Sequence, residues 1–126
     1  MTLILDSGAL IAAERGDRAM WRRLKGALQA GEPPRTHGGV VAQAWRGGSG
    51  RQAPLARALA GVDVAPLDDN LGRRAGVLLG STDQRDAIDA ALVRLAGDDD
   101  VIVSDDIRDI ARLVAASGCH IDVVEP

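Results

Sequence analysis

The chain of 126 residues contains neither phenylalanine nor tyrosine, and Trp21 and Trp45 are its only aromatic residues. Its core must therefore be built from Leu, Val, Ile and Ala. A single cysteine, Cys119, excludes an internal disulfide, and no Cys/His cluster has the spacing of a zinc site. Cys119 reads as a small apolar filler. Lys25 is the only lysine, so nearly all positive charge is arginine. No apolar run approaches the ~20 residues of a membrane span. The opening MTLILDSGAL lacks the basic start and the length of a signal peptide. The expectation is a reduced, cytoplasmic protein with no membrane association.

What is present indicates a globular chain. Hydrophobic residues make up 46% and charged residues 26%, enough apolar material for one core and too much for disorder. The length suits one domain spanning residues 1–126. The net charge of −3 lacks the basic balance expected of a nucleic-acid binder. Acids focused on a bound cation would reverse the local field, so composition neither supports nor excludes a nucleic-acid substrate.

Four short apolar runs read as strands: Leu3–Leu5, Val62–Ala65, Val101–Val103 and Ile121–Val124. The stretches between them read as helices over 7–15, 19–30, 39–45, 54–60, 68–79, 83–96 and 106–117. Met20, Leu24 and Leu28 form one helical stripe, and Glu32-Pro33-Pro34 ends it. Gly118 reads as a C-terminal cap. Strands alternating with helices predict an α/β fold, a three-layer α/β/α sandwich with a short, mostly parallel sheet of four to five strands.

In such sheets function gathers where strands end at their carboxyl edge. Asp6 follows the first strand directly, and Ser104-Asp105-Asp106 follows Val101–Val103. An Asp after a strand also serves as a helix cap, so each position has a purely structural reading. The segment Asp86-Ala87-Ile88-Asp89-Ala90-Ala91 adds two acids three residues apart, which share one face if both are helical. Asp89 falls beside the apolar stripe of Ile88 and Leu92, where a carboxylate is costly unless paired or bound to metal. Asp86 falls nearer the rim. Carboxylates from three separated segments form a hard-oxygen donor set suited to Mg²⁺ or Mn²⁺. Such ions promote phosphodiester hydrolysis by activating water.

With these stretches in view, the sequence resembles the PIN-domain ribonucleases, particularly the VapC-type toxins of toxin–antitoxin pairs. LILDSGALIA, VVAQAWRGGSGRQAPLARAL, DAIDAALVRLA and VIVSDDIRDIARL carry the resemblance, in order and over nearly the whole chain. It implies a PIN-like fold and a metal-dependent endoribonuclease. Asp6, Asp89 and Asp106 would be its catalytic metal-binding acids, with Ser7, Asp86, Ser104 and Asp109 auxiliary to them. It also implies a cognate antitoxin that blocks the site with a basic side chain, and homodimers. The family's second acid, a glutamate, corresponds here to Gln43, whose amide brings no negative charge. That departure implies weaker metal affinity and leaves a catalytically disabled RNA- or protein-binding module as the alternative. Arg46 and Arg51 stand where they could meet RNA phosphate or simply be solvated.

Two other acid-bearing α/β classes fit poorly. A phosphoacceptor receiver domain needs a lysine after a late strand, and Lys25 lies early; a haloacid-dehalogenase-type phosphatase needs a second acid two residues after the first, where Gly8 stands. His37, near a helix start, reads as a capping or surface residue, and His120 lies beside the last strand.

Overall fold

The computed structural model describes residues 1–48 and 50–126. Five strands, β1 (Leu3–Leu5), β2 (Arg35–His37), β3 (Asp63–Ala65), β4 (Val101–Val103) and β5 (Asp122–Val124), form one sheet in the order β3-β2-β1-β4-β5. Every pairing is parallel, with Leu3, Ile4 and Leu5 of β1 opposite Val101, Ile102 and Val103 of β4. The fold is α/β, a three-layer α/β/α sandwich, with the sheet wholly parallel where a mostly parallel one was expected.

The helices are α1 (Ser7–Glu14), α2 (Arg18–Gln29), α3 (Gly38–Ala44), α4 (Ala53–Ala60), α5 (Asp69–Gly80), α6 (Ala87–Leu95) and α7 (Ile107–Ser117), with a 3-10 turn over Gly50–Gln52. The chain steps outward from β1 to β2 to β3, then crosses back to β4 and β5. Right-handed crossovers therefore divide the helices between the two faces. Accordingly α1 packs against α2, α3 and α4, while α5, α6 and α7 pack against one another. The core between these layers is aliphatic. Ile4, Leu5, Leu10, Leu55, Leu78, Leu92, Ile102, Ile110 and Leu113 are fully buried, each stabilising the fold by ~1.5–3 kcal/mol. Among the described residues no helix is long and apolar enough to cross a membrane.

Two elements differ from the expectations. Strand β2 was not anticipated, because Arg-Thr-His offers no apolar alternation. It is nonetheless held between β1 and β3. The buried Thr36 hydroxyl donates to the Leu5 carbonyl at 2.7 Å, and Arg35 pairs with Asp63 on β3 at 3.0 Å. Helix α6 begins at Ala87, not at Asp83. Asp86 sits outside it as the N-cap, its carboxylate accepting from the Asp89 amide at 3.0 Å. Asp86 and Asp89 are thus cap and third helical residue, not two positions on one helical face. Gly118 closes α7 in the left-handed region at φ +74°, as the sequence indicated.

Candidate functional site

The strand order reverses at β1 and β4. These neighbours feed connections that leave in opposite directions, and ligands bind in the crevice outside the carboxyl ends of such strands. Asp6 stands at the end of β1, and its amide donates to the Val103 carbonyl at 3.1 Å, so the ends of the two strands stay in register. The Asp6 side chain is almost wholly buried, at 4% exposure. That is tolerable because three donors meet it. Oδ1 accepts from Ser7 Oγ at 2.9 Å and from the Gly8 amide at 3.1 Å, and Oδ2 accepts from Ser104 Oγ. Asp6 also caps α1, where the helix dipole favours its charge. Its structural and chemical readings both hold.

Ser104 couples this acid to the next segment. Its buried hydroxyl donates to Asp6 and accepts from the Asp106 amide at 2.9 Å. This Ser/Thr turn fixes how the chain leaves β4. Asp106 then occupies the N-cap of α7 without closing a cap bond through its side chain, which leaves its carboxylate for other contacts. Its carboxyl is raised above the usual value, by loss of solvent first and by the charges of Asp109 and Asp6. The nearby Asp109 backbone amide pulls it the other way without closing a well-formed bond. Asp105 turns aside onto the start of α1, where it packs directly over Gly8; any Cβ at position 8 would overlap its carboxyl group.

The third segment is the first turn of α6. Asp89 is half buried, and among the described residues no group donates to its carboxylate. Its carboxyl is raised from 3.8 to about 7. Burial contributes most, followed by the charges of Asp86, Asp6, Asp106 and Asp109. Those neighbours place Asp6, Asp86, Asp89, Asp106 and Asp109 in one electrostatic field at the carboxyl edge of the sheet. No Lys, Arg or His among the described residues forms a salt bridge with Asp6, Asp89 or Asp106, while Asp109 lies 4.0 Å from Arg112.

As arranged, the described acids do not close into a three-carboxylate shell around one point. The donor types still suit a hard cation, because the charges of Asp6, Asp86, Asp106 and Asp109 all act on Asp89, and among the described residues no salt bridge neutralises it. Were such an ion to bind here, Asp6, Asp89 and Asp106 would be its candidate ligands.

Among the described residues no hydrogen bond links Gln43 to these acids. It is exposed on α3 and lines a cleft beside α1 with Glu14, Arg15, Arg46 and Arg51. The Arg46 guanidinium is turned back onto α3, donating from Nη1 to the Ala42 and Trp45 carbonyls at 3.0 and 2.9 Å. Arg51 is exposed in the same cleft. Gln52 is a buried structural residue that sequence reading did not single out. Its Oε1 accepts from the Arg46 and Gly47 amides, and its Nε2 donates to the Ala44 carbonyl. His37 is likewise buried, not a surface residue, and it does cap α3. Its Nδ1 accepts from the Gly39 amide at 3.1 Å while Nε2–H donates to the Ile88 carbonyl at 2.9 Å. These partners require the neutral Nε2–H tautomer, and burial lowers the imidazole below its ordinary value. No signal in the sequence connects His37 with Ile88. His120 lies exposed beside β5, its amide donating to Asp98.

Set against protein-family models, curated proteins and solved structures, the chain matches none.

Proposed function

We propose that the chain is a Mg²⁺- or Mn²⁺-dependent endoribonuclease of the PIN-domain kind, the toxin of a VapBC-type pair. The observation carrying this reading is that Asp6 and Asp106, which follow two strands, act with their charges on Asp89 at a helix start, at the point where the sheet order reverses. Burial, and after it the neighbouring carboxylates, raise the proton affinity of Asp89 and Asp106, as expected of a site lacking a counter-charge. When bound, a divalent cation supplies activation of water and neutralisation of charge at the phosphodiester.

The chain's own residues have separable tasks. Asp6, fixed by Ser7, Gly8 and Ser104, is a rigid ligand that needs no reorganisation. Asp106 is held by Ser104 but not spent on capping. Asp89, near half-protonation at neutral pH in the metal-free chain, releases its proton when a cation binds, so metal affinity rises with pH. Asp86 and Asp109 add negative field at the rim. The same reading makes the protein cytoplasmic, self-associating, and restrained by an antitoxin that presents a basic side chain to the acids.

The alternative is a PIN-like binding module without hydrolysis, favoured by one observation: Gln43 adds neither charge nor a hydrogen bond to the acids. Incubating the antitoxin-free protein with a mixed structured RNA pool and Mg²⁺ or Mn²⁺ tests both. Discrete cleavage, lost with EDTA and in Asp6→Asn and Asp106→Asn, supports the nuclease. Cleavage that survives both substitutions sinks it. Absence of cleavage together with absence of Mn²⁺ binding favours the module.

A further inference from the structure

His37 is fully buried at the end of β2, and the hydrolytic reading above gives it no task. Its two ring nitrogens are nonetheless both committed. Nδ1 holds the first amide turn of α3 through Gly39, and Nε2–H reaches across to the carbonyl of Ile88. Ile88 immediately precedes Asp89. The stretch leading into α6 gives little other anchorage, since Asp83, Arg85, Asp86 and Ala87 are all exposed. The fit around the imidazole is close. A Cβ at position 39 would lie 2.6 Å from Ile88 Cδ1 and 2.9 Å from His37 Cε1, so Gly39 is the residue that lets α3 and α6 approach here.

From this geometry we propose that His37 is a positioning residue. Its Nε2–H bond to the Ile88 carbonyl pins the first turn of α6 to the end of β2, and so sets where the Asp89 carboxylate stands relative to Asp6 and Asp106. What Asp89 is held for rests on the nuclease reading; the tether itself does not. Asp86 complements it from the other side, holding the Asp89 amide at 3.0 Å. The peptide unit that leads into Asp89 is thereby held at both its carbonyl and its amide before any cation arrives. Indirect orientation of this kind affects metal affinity because a ligand free to wander must be ordered at binding.

Two isosteric substitutions separate the imidazole's bonds. In His37→Asn the amide oxygen stands where Nδ1 stood and keeps the α3 cap, but nothing reaches Ile88. In His37→Gln the amide nitrogen stands where Nε2 stood and keeps the tether, but the cap is lost. Two readouts apply, neither needing RNA: Mn²⁺ affinity by calorimetry, and hydrogen exchange of the Ala90 and Ala91 amides without metal. We expect His37→Asn to bind Mn²⁺ ~10-fold more weakly, with faster exchange in α6, and His37→Gln to stay within ~2-fold of wild type in affinity despite its lost cap. Gly39→Ala, which leaves His37 in place but crowds Ile88, should resemble His37→Asn. Equal losses in the Asn and Gln variants, or a larger loss in Gln, would overturn the proposal. If the wild type binds no Mn²⁺, the nuclease reading falls, and exchange in α6 alone decides whether the tether exists.

Discussion

Replacing Asp89 by asparagine should stabilise the metal-free fold at alkaline pH while removing its metal site. Asp89 is half buried and its carboxyl is pushed from 3.8 to about 7. The unfolded chain titrates this group at the ordinary value. Between those two values the folded state therefore holds more of the proton, and stability declines as pH rises; above about 7 the full penalty of the charge is present. A displacement of that size, fully expressed, corresponds to ~4 kcal/mol. Solvent screening at a half-exposed site among surface acids leaves ~1–2 kcal/mol. Asparagine keeps the shape and discards the charge, so it recovers this amount at pH 8 and almost none at pH 4. For a chain of 126 residues the gain amounts to a rise in Tm of ~3–8 °C. Thermal scans of both proteins at pH 4, 6 and 8, each with and without Mn²⁺, make the comparison. The gap should open with pH in the absence of metal. Mn²⁺ at a hundredfold excess over its Kd should then stabilise wild type by ~2.7 kcal/mol and leave the variant unmoved. A Tm gain as large at pH 4 as at pH 8, or a loss at pH 8, would refute the conclusion that burial and, after it, the neighbouring acids penalise the Asp89 charge.

Further substitutions probe the supports of the site. Ser104→Ala removes the hydroxyl that serves both Asp6 and the Asp106 amide; leaving a buried carboxylate oxygen unpaired should cost ~1–3 kcal/mol. The loss is read as a lowered denaturation midpoint and weaker Mn²⁺ binding, both restored by Ser104→Thr. Gly8→Ala drives a methyl group into the Asp105 side chain and should destabilise by ~1–3 kcal/mol. Adding Asp105→Gly should recover most of that in a double-mutant cycle, and additive losses would contradict the contact. For His37 the linkage has the opposite sign to that of Asp89. Because its folded value is lowered, its contribution is present above the ordinary histidine value and fades as pH falls through it. In an Asp89→Asn background, urea midpoints should therefore drop on acidification from pH 7 to 5.5, and less so once His37→Gln is added.

Much of this site was legible in the residues alone. Asp6 directly follows a run of three aliphatic residues and Asp106 follows another by two residues; short apolar runs of this kind read as strands, so these acids fall just past strand ends. Asp89 showed itself by falling within an apolar helical stripe, where a lone carboxylate is out of place. The aliphatic core, the α/β class and the cap at Gly118 followed from spacing and composition in the same way. Other features had no local trace. Strand β2 is three polar residues, and Thr36 and His37 are buried through partners 31 and 51 residues away, Leu5 on β1 and Ile88 on α6. The start of α6 was blurred because Asp83–Asp86 fits the helical period. The competition between continuing the helix and capping it is decided by where Asp86 meets the Asp89 amide. Gln43 was aligned with the acids by its place along the chain, yet α3 presents it to a cleft beside α1. Which carboxylates lie just past strand ends depends on neighbours one or two residues away, and the residues alone reveal it. That the acids share one field, and that a histidine bonds the residue before the third, joins distant segments whose contact no local pattern encodes, so it emerges only from packing.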